Sequence, residues 1–197
     1  MKILDILAGR TKPAQADLEA LFGLPSAFIT LEASESLVPT GEGGVCYKPA
    51  AGQSFAQTTE EMESLLGLGG GPIKVREETD QYGFHWVVIG SGSDTGDPQA
   101  LVNQVHLVNT TLQEQGFGPQ LLCSVFGFRP TSAAGSPATT YVVYLYKRGT
   151  FYPFVPLPGR EQRAVETELR LGIVLAEDLK IEKDKANWMA LWGLPVH

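Results

Sequence analysis

Cysteine is almost absent from this chain: Cys46 and Cys123 stand far apart, with no CxxC spacing and no histidine at ligand distance. That rules out a disulfide framework and leaves structural zinc without a ligand set. Both cysteines sit in apolar runs, Val45-Cys46-Tyr47 and Leu121-Leu122-Cys123, where a free thiol reads as a small buried hydrophobe. Long apolar stretches are missing as well. No run reaches the length of about 18 residues that a bilayer-spanning helix needs. The apolar stretch within Met1–Lys12 is broken by Asp5, too short for a signal-peptide core and without a small-residue cleavage site, so the expected location is the cytoplasm. Basic charge is in deficit, with 15 Lys and Arg against 22 Asp and Glu and a formal charge of −7. That balance excludes general binding to nucleic acid, which requires a net basic surface.

What is present is the makings of a core. The 197 residues are 43% apolar and 19% charged, too hydrophobic for a disordered polymer and long enough for one ordinary domain. With 22 glycines and 13 prolines, the chain should form many short elements. Charge also locates the interior. Between Gln81 and Tyr146 the only charged residues are Asp94, Asp97, Glu114 and Arg129. An acidic stretch from Glu60 to Asp80 precedes this region and a basic one from Lys147 to Arg163 follows it, so the molecule is dipolar despite its acidic sum.

Periodicity supplies the elements. Asp97-Pro98 reads as an N-cap followed by proline at the first helical position. Leu101, Val102, Val105, Val108 and Leu112 then keep helical spacing until Gly116 offers a left-handed stop. Ile73–Glu78 and Phe84–Ile89 read as strands joined by the turn Asp80-Gln81-Tyr82-Gly83. Gln120–Phe128 and Thr140–Tyr146 are two further strands, separated by the loop Pro130–Ala138. Earlier in the chain, Asp17–Phe22 reads as a short helix, Ala27–Leu31 and Val45–Tyr47 as strands, and Thr58–Leu66 as a helix. A helix near Glu161–Leu175 and the segment Asn187–Leu194 complete it. The expected class is α+β, an antiparallel sheet with helices packed on one face. Residues 1–66 and 73–197 would be two similar α+β units around a glycine-rich linker at 67–72, either distinct or merged into one domain.

Catalytic signatures are weak. The glycine run 67–71 follows a helix, precedes a strand and lacks GK[ST], so it reads as a turn and not a phosphate cradle. His85 and His106 have no carboxylate, cysteine or second histidine at ligand spacing, and there is no GxSxG elbow or HExxH. A hydrolase using Ser124 or Cys123 with a distant histidine stays open only because such groups can converge from afar. No metal, cofactor or catalytic residue is expected.

The most unusual segment runs from Tyr141 to Arg163. Tyr144, Tyr146, Phe151, Tyr152 and Phe154 surround Lys147-Arg148, and Pro153, Pro156 and Pro158 hold the backbone extended. One reading is a hairpin turn whose aromatics finish the core. The other is a contact surface in which Phe151, Tyr152 and Phe154 offer rigid area, while Lys147, Arg148, Arg160 and Arg163 face an acidic partner. At the N-terminus, Ile3, Leu4, Leu7 and Arg10 make either a docked first helix or a short amphipathic segment touching a membrane surface. Trp188, Met189, Leu191 and Trp192 read as a lid on the core.

Three strings carry a family resemblance: Gly9-Arg10-Thr11-Lys12-Pro13, Glu114-Gln115-Gly116-Phe117-Gly118-Pro119-Gln120-Leu121-Leu122-Cys123, and Leu145-Tyr146-Lys147-Arg148-Gly149-Thr150-Phe151-Tyr152-Pro153-Phe154. With the terminal Trp188 and Trp192-Gly193 they run in order along almost the whole chain, which resembles the PspA-associated protein family PspAB. The resemblance implies an accessory protein of the phage-shock membrane-stress response. It would be a non-enzymatic adaptor whose partner is a PspA-like protein that coats and remodels the inner membrane, and it brings no catalytic residues. The alternative is a small-ligand or peptide-binding, chaperone-like module using a groove between the two units.

Overall fold

The structure, a computed structural model, describes residues 16–48, 74–90, 97–132 and 140–197. Six strands form one antiparallel sheet in the order β2-β3-β1-β4-β5-β6. They are β1 (Leu37–Tyr47), β2 (Lys74–Thr79), β3 (His85–Gly90), β4 (Leu121–Pro130), β5 (Thr140–Leu145) and β6 (Thr150–Phe154). The helices are α1 (Leu24–Glu35), preceded by a 3-10 turn at Leu18–Gly23, α2 (Pro98–Leu112) and α3 (Val165–Val174). The α+β class with an antiparallel sheet is as expected. Strand β1 lies between β3 and β4, pairing with both, so the described part of residues 1–66 and the stretch 73–197 share one sheet. The linker at 67–72 and the helix expected at Thr58–Leu66 lie outside the described residues.

Local chemistry explains the best-read elements. Asp97 caps α2 by accepting from the Gln99 amide at 2.9 Å, and the chain leaves the helical course at Gly116, φ 89°. In the β2–β3 hairpin, Gly83 takes φ 78°. The Asp80 carboxylate accepts from the amides of Tyr82 and Phe84, each at 2.9 Å, and from the Trp86 indole at 3.0 Å. One element overturns its expectation: Ala27–Leu31 is part of α1 and not a strand. Its Phe-Ile-Thr composition favours strand, but Leu24, Ala27, Phe28 and Leu31 fall on one helical face and all bury there. Burying that face outweighs the weaker local preference.

Because strand side chains alternate, the sheet presents two apolar faces. Val45, Val87, Phe126, Val142, Tyr144 and Phe151 point to the side covered by the helices. Cys46, Trp86, Cys123, Val143, Tyr152 and Phe154 point to the other. No helix of the three covers that second face; residues 181–197 do, as an extended strap. It begins by adding to the edge of β6, where the Phe151 amide donates to Lys180 O (2.9 Å) and the Glu182 amide donates to Phe151 O (2.7 Å). It ends beside β1 and β2, where Arg76 donates to Pro195 O at 2.6 Å and the His197 amide donates to Glu42 at 3.0 Å. The strap thus crosses the sheet and also caps an edge that would otherwise invite pairing with another chain. Two adjacent glycines in β1 permit the close layers. A Cβ at Gly43 would lie 3.0 Å from Val105 of α2, and one at Gly44 would lie 2.7 Å from Val196 of the strap.

Candidate functional site

The segment 141–163 is built from the β5–β6 hairpin and the loop after it. Phe151 faces the helices and packs 5.0 Å from Tyr144, while Tyr152 and Phe154 face the strap and meet Trp188 and Trp192 at ring-centroid distances of 5.9 and 5.3 Å. All three are completely buried. The aromatics expected on a contact surface are therefore core residues, because both faces of the sheet are covered where β5 and β6 lie. The reading of a hairpin whose aromatics finish the core is the one the fold builds.

The four cations of the segment are not brought to one place. Lys147 and Arg148 sit at the β5–β6 turn, where Gly149 adopts φ 61°, whereas Arg160 and Arg163 lie beyond the opposite end of β6. Arg148 is paired with Glu182. Arg163 donates to both oxygens of Glu168, at 2.9 and 2.8 Å, and to the carbonyl of Trp188, with its guanidinium 5.4 Å from the Phe154 ring centre. These two arginines fasten the strap and α3 to the sheet. Lys147 and Arg160 are exposed. The N-terminal candidates Ile3, Leu4, Leu7 and Arg10 lie outside the described residues.

The nucleophile and base candidates are also separated. Ser124 is fully buried and its Oγ accepts from Asn109 of α2 at 2.8 Å. His106 stacks 4.8 Å from Phe22, with Nε2 3.8 Å from Glu19, and His85 packs 5.5 Å from Tyr47. Cys46 and Cys123 are free, buried and directly paired across β1 and β4. A hydrogen bond to Cys123 and burial push the Cys46 thiol well above the ordinary range, which suppresses its nucleophilic thiolate. Among the described residues, no group of three or more His, Cys, Asp or Glu could hold a metal ion.

One surface feature escaped the reading of the sequence. On α3, Val165, Leu169 and Ile173 recur at every fourth residue and are 55%, 45% and 75% exposed. The adjoining side of the same helix buries Glu168, Leu171 and Gly172. The three exposed side chains therefore form one apolar row along two helical turns, roughly 12 Å long. The signal was available: in Val165–Leu175 the apolar residues other than Val174 occupy two rows, 165/169/173 and 171/175, and one core-facing side uses only one of them. Beside this row, Arg170 reaches across to Glu35 of α1 at 3.0 Å.

Helices on one face, a C-terminal strap on the other and an exposed apolar helix row define an α+β protein with a surface suited to contact and no assembled catalytic cluster among its described residues. Residues 1–196 match the model of PspAB, PspA associated protein B, and the chain belongs to that family. Comparison with curated proteins returned no match, and neither did comparison with solved structures. No helix among the described residues is long and apolar enough to cross a membrane.

Proposed function

We propose that this protein is a non-enzymatic adaptor of a PspA-type membrane-stress response, and that it binds PspA through the outer row of α3. The observation that carries this reading is the exposed row Val165, Leu169 and Ile173. Three apolar side chains in line on one helix, 45–75% exposed, fit an apolar stripe on a partner. Membership of a family described as PspA-associated supports PspA as that partner. The exposed cations Lys147 and Arg160 then act at the rim, where charge governs encounter rate more than affinity. Membrane proximity comes through the partner.

Titration calorimetry with the PspA of the same cell tests the reading. The variant Leu169→Glu/Ile173→Glu should weaken binding by more than about tenfold, since buried apolar anchors at interfaces each contribute on the order of 1–2 kcal/mol. Lys147→Glu/Arg160→Glu should change it by less than about threefold at physiological salt. Full affinity in a folded Leu169→Glu/Ile173→Glu protein removes α3 from the interface, and no binding by the wild type removes the reading itself.

A further inference from the structure

Beneath the strap, between residues 189–192 and strands β1, β3, β4, β5 and β6, lies a cavity of about 260 Å³. Its inner walls are buried side chains, while Tyr82 and Met189 at its rim are 50% and 62% exposed, so it opens to solvent at one side; close packing leaves few spaces of this size between layers. The strap accounts for this one. It is pinned on both sides of the opening. On one side Tyr152 donates to Met189 O at 3.0 Å and Arg163 donates to Trp188 O. On the other, Tyr141 donates to Val196 O at 2.9 Å and Arg76 donates to Pro195 O. At the same two places the strap touches backbone closely: a Cβ at Gly172 would lie 2.9 Å from Trp188, and one at Gly44 would lie 2.7 Å from Val196. Held down at 188 and 196, the strap arches over the sheet and cannot collapse into the space between.

The chemistry of the walls defines what fits. Cys46 and Cys123 are on the sheet side, Trp86 and Tyr152 flank them, and Leu191 and Trp192 close the strap side. The polar groups around these walls already have partners. Cys46 and Cys123 stand opposite each other across β1 and β4, the Tyr152 hydroxyl donates to Met189 O, and the Trp86 indole donates to Asp80. Asp80 also lines the cavity, but its carboxylate accepts three hydrogen bonds from its own hairpin. A charged ligand would have to shed its hydration for no new partner, at a cost of several kcal/mol. An uncharged hydrocarbon loses nothing and gains contact. A dry apolar cavity of about 150 Å³ already accepts benzene, so this one has room for two fused rings or an alkyl chain of roughly eight carbons.

We infer that this cavity is a binding site for a small uncharged hydrophobe, alkyl or aromatic, held between the sheet and the strap. The site is independent of the α3 row and of PspA.

The three tryptophans make it directly observable, because Trp86 and Trp192 line the cavity while Trp188 packs beside it on Tyr152. The experiment follows the three indole N–H resonances of the full chain in heteronuclear NMR during titration with 1-octanol, 2-naphthol and octanoate. The two neutral probes should shift the Trp86 and Trp192 signals saturably, and their relative affinities separate an alkyl from an aromatic preference. Octanoate, identical in chain length to octanol but charged, should bind at least about tenfold more weakly. Cys123→Phe, which fills the space from the sheet side, should abolish the shifts. Leu191→Trp, on the half-buried strap side, fills it with less risk to folding and should do the same. The inference is overturned if neither neutral probe gives a saturable response up to its solubility limit, if octanoate binds as well as octanol, or if a folded Leu191→Trp protein responds like wild type.

Discussion

Arg148 and Glu182, 34 residues apart in sequence, lock the β5–β6 turn to the start of the C-terminal strap through a two-pronged ion pair, one prong measuring 3.2 Å. The Glu182 carboxylate also accepts from Thr150 Oγ1 at 2.8 Å and from the Asp184 amide at 2.9 Å. The Arg148 hydrogen bond is the largest influence on that carboxyl and holds it down at about 2, against the opposing effect of burial and with help from Asp184 and Thr150.

This relationship fixes a pH dependence. A folded-state pKa lowered from the ordinary 4.5 to about 2 means the stabilisation is fully present above about pH 4.5 and is lost as pH falls from there through about 2. Thermal melts across that window should show Tm falling with acid, and Glu182→Gln should show a flatter profile over the same range. Parallel curves for the two proteins would falsify the assignment.

At the other end of β6, Glu168 is only 2% exposed, accepts from Arg163 and receives the Val155 amide at 2.8 Å. Glu168→Ala strands the arginine and leaves a buried amide unpaired, so urea denaturation should report a loss of about 3 kcal/mol. Glu168→Gln keeps an acceptor for Val155 and should lose roughly half as much. Equal losses in the two variants would mean that charge, and not amide satisfaction, dominates at this position.

Gly44→Ala probes how the strap is seated. The new methyl would meet Val196 at 2.7 Å, and overpacking of this kind costs about 1–3 kcal/mol. Val196→Ala makes room for it. The double variant Gly44→Ala/Val196→Ala should therefore be more stable than the sum of the two single effects allows, by about 1 kcal/mol. Strict additivity would show that the strap yields freely at its far end.

The thiols should be inert in the native protein. Cys46 and Cys123 are buried, and Cys46 is pushed above the usual thiol range by its bond to Cys123 and by burial. Labelling with a chromogenic disulfide at neutral pH should run at least about a hundredfold slower than in denaturant, where both cysteines become available. Prompt native labelling of either one would mean that the strap opens on the timescale of the assay.

Much of the fold was legible because its signals are local. Asp97-Pro98 and Gly116 bracket α2, and Asp80 with Gly83 shapes the β2–β3 turn, each through contacts within a few residues. Ala27–Leu31 misled because its strand-favouring composition lies on a helix whose apolar face is recognised only against the sheet. Strand β1 extends from Leu37, well before the short run Val45–Tyr47 that reads as strand. Pro39 and the glycines at 41, 43 and 44 carry little strand propensity, and its two neighbours impose the conformation. The segment after Tyr141 was ambiguous for a deeper reason. Aromatics alternating on a strand reveal whether they are core or surface only when one face of the sheet is known to be wet, and here the strap dries the second face through residues 37 to 55 positions further along the chain. The α3 row was missed for the mirror-image reason: a second apolar row on a helix looks like core until the neighbours are known.

Gly44 and Val196 are in contact, yet more than 150 residues separate them in the chain. During synthesis every strand is made before the strap, so the nascent sheet carries one complete apolar face with no cover until residue 196 has left the ribosome. Such contacts between distant residues form slowly, and exposed apolar strands recruit other chains in the meantime. The chain therefore stays aggregation-prone until its strap has been made, and the strap that roofs the cavity is also what ends that exposure.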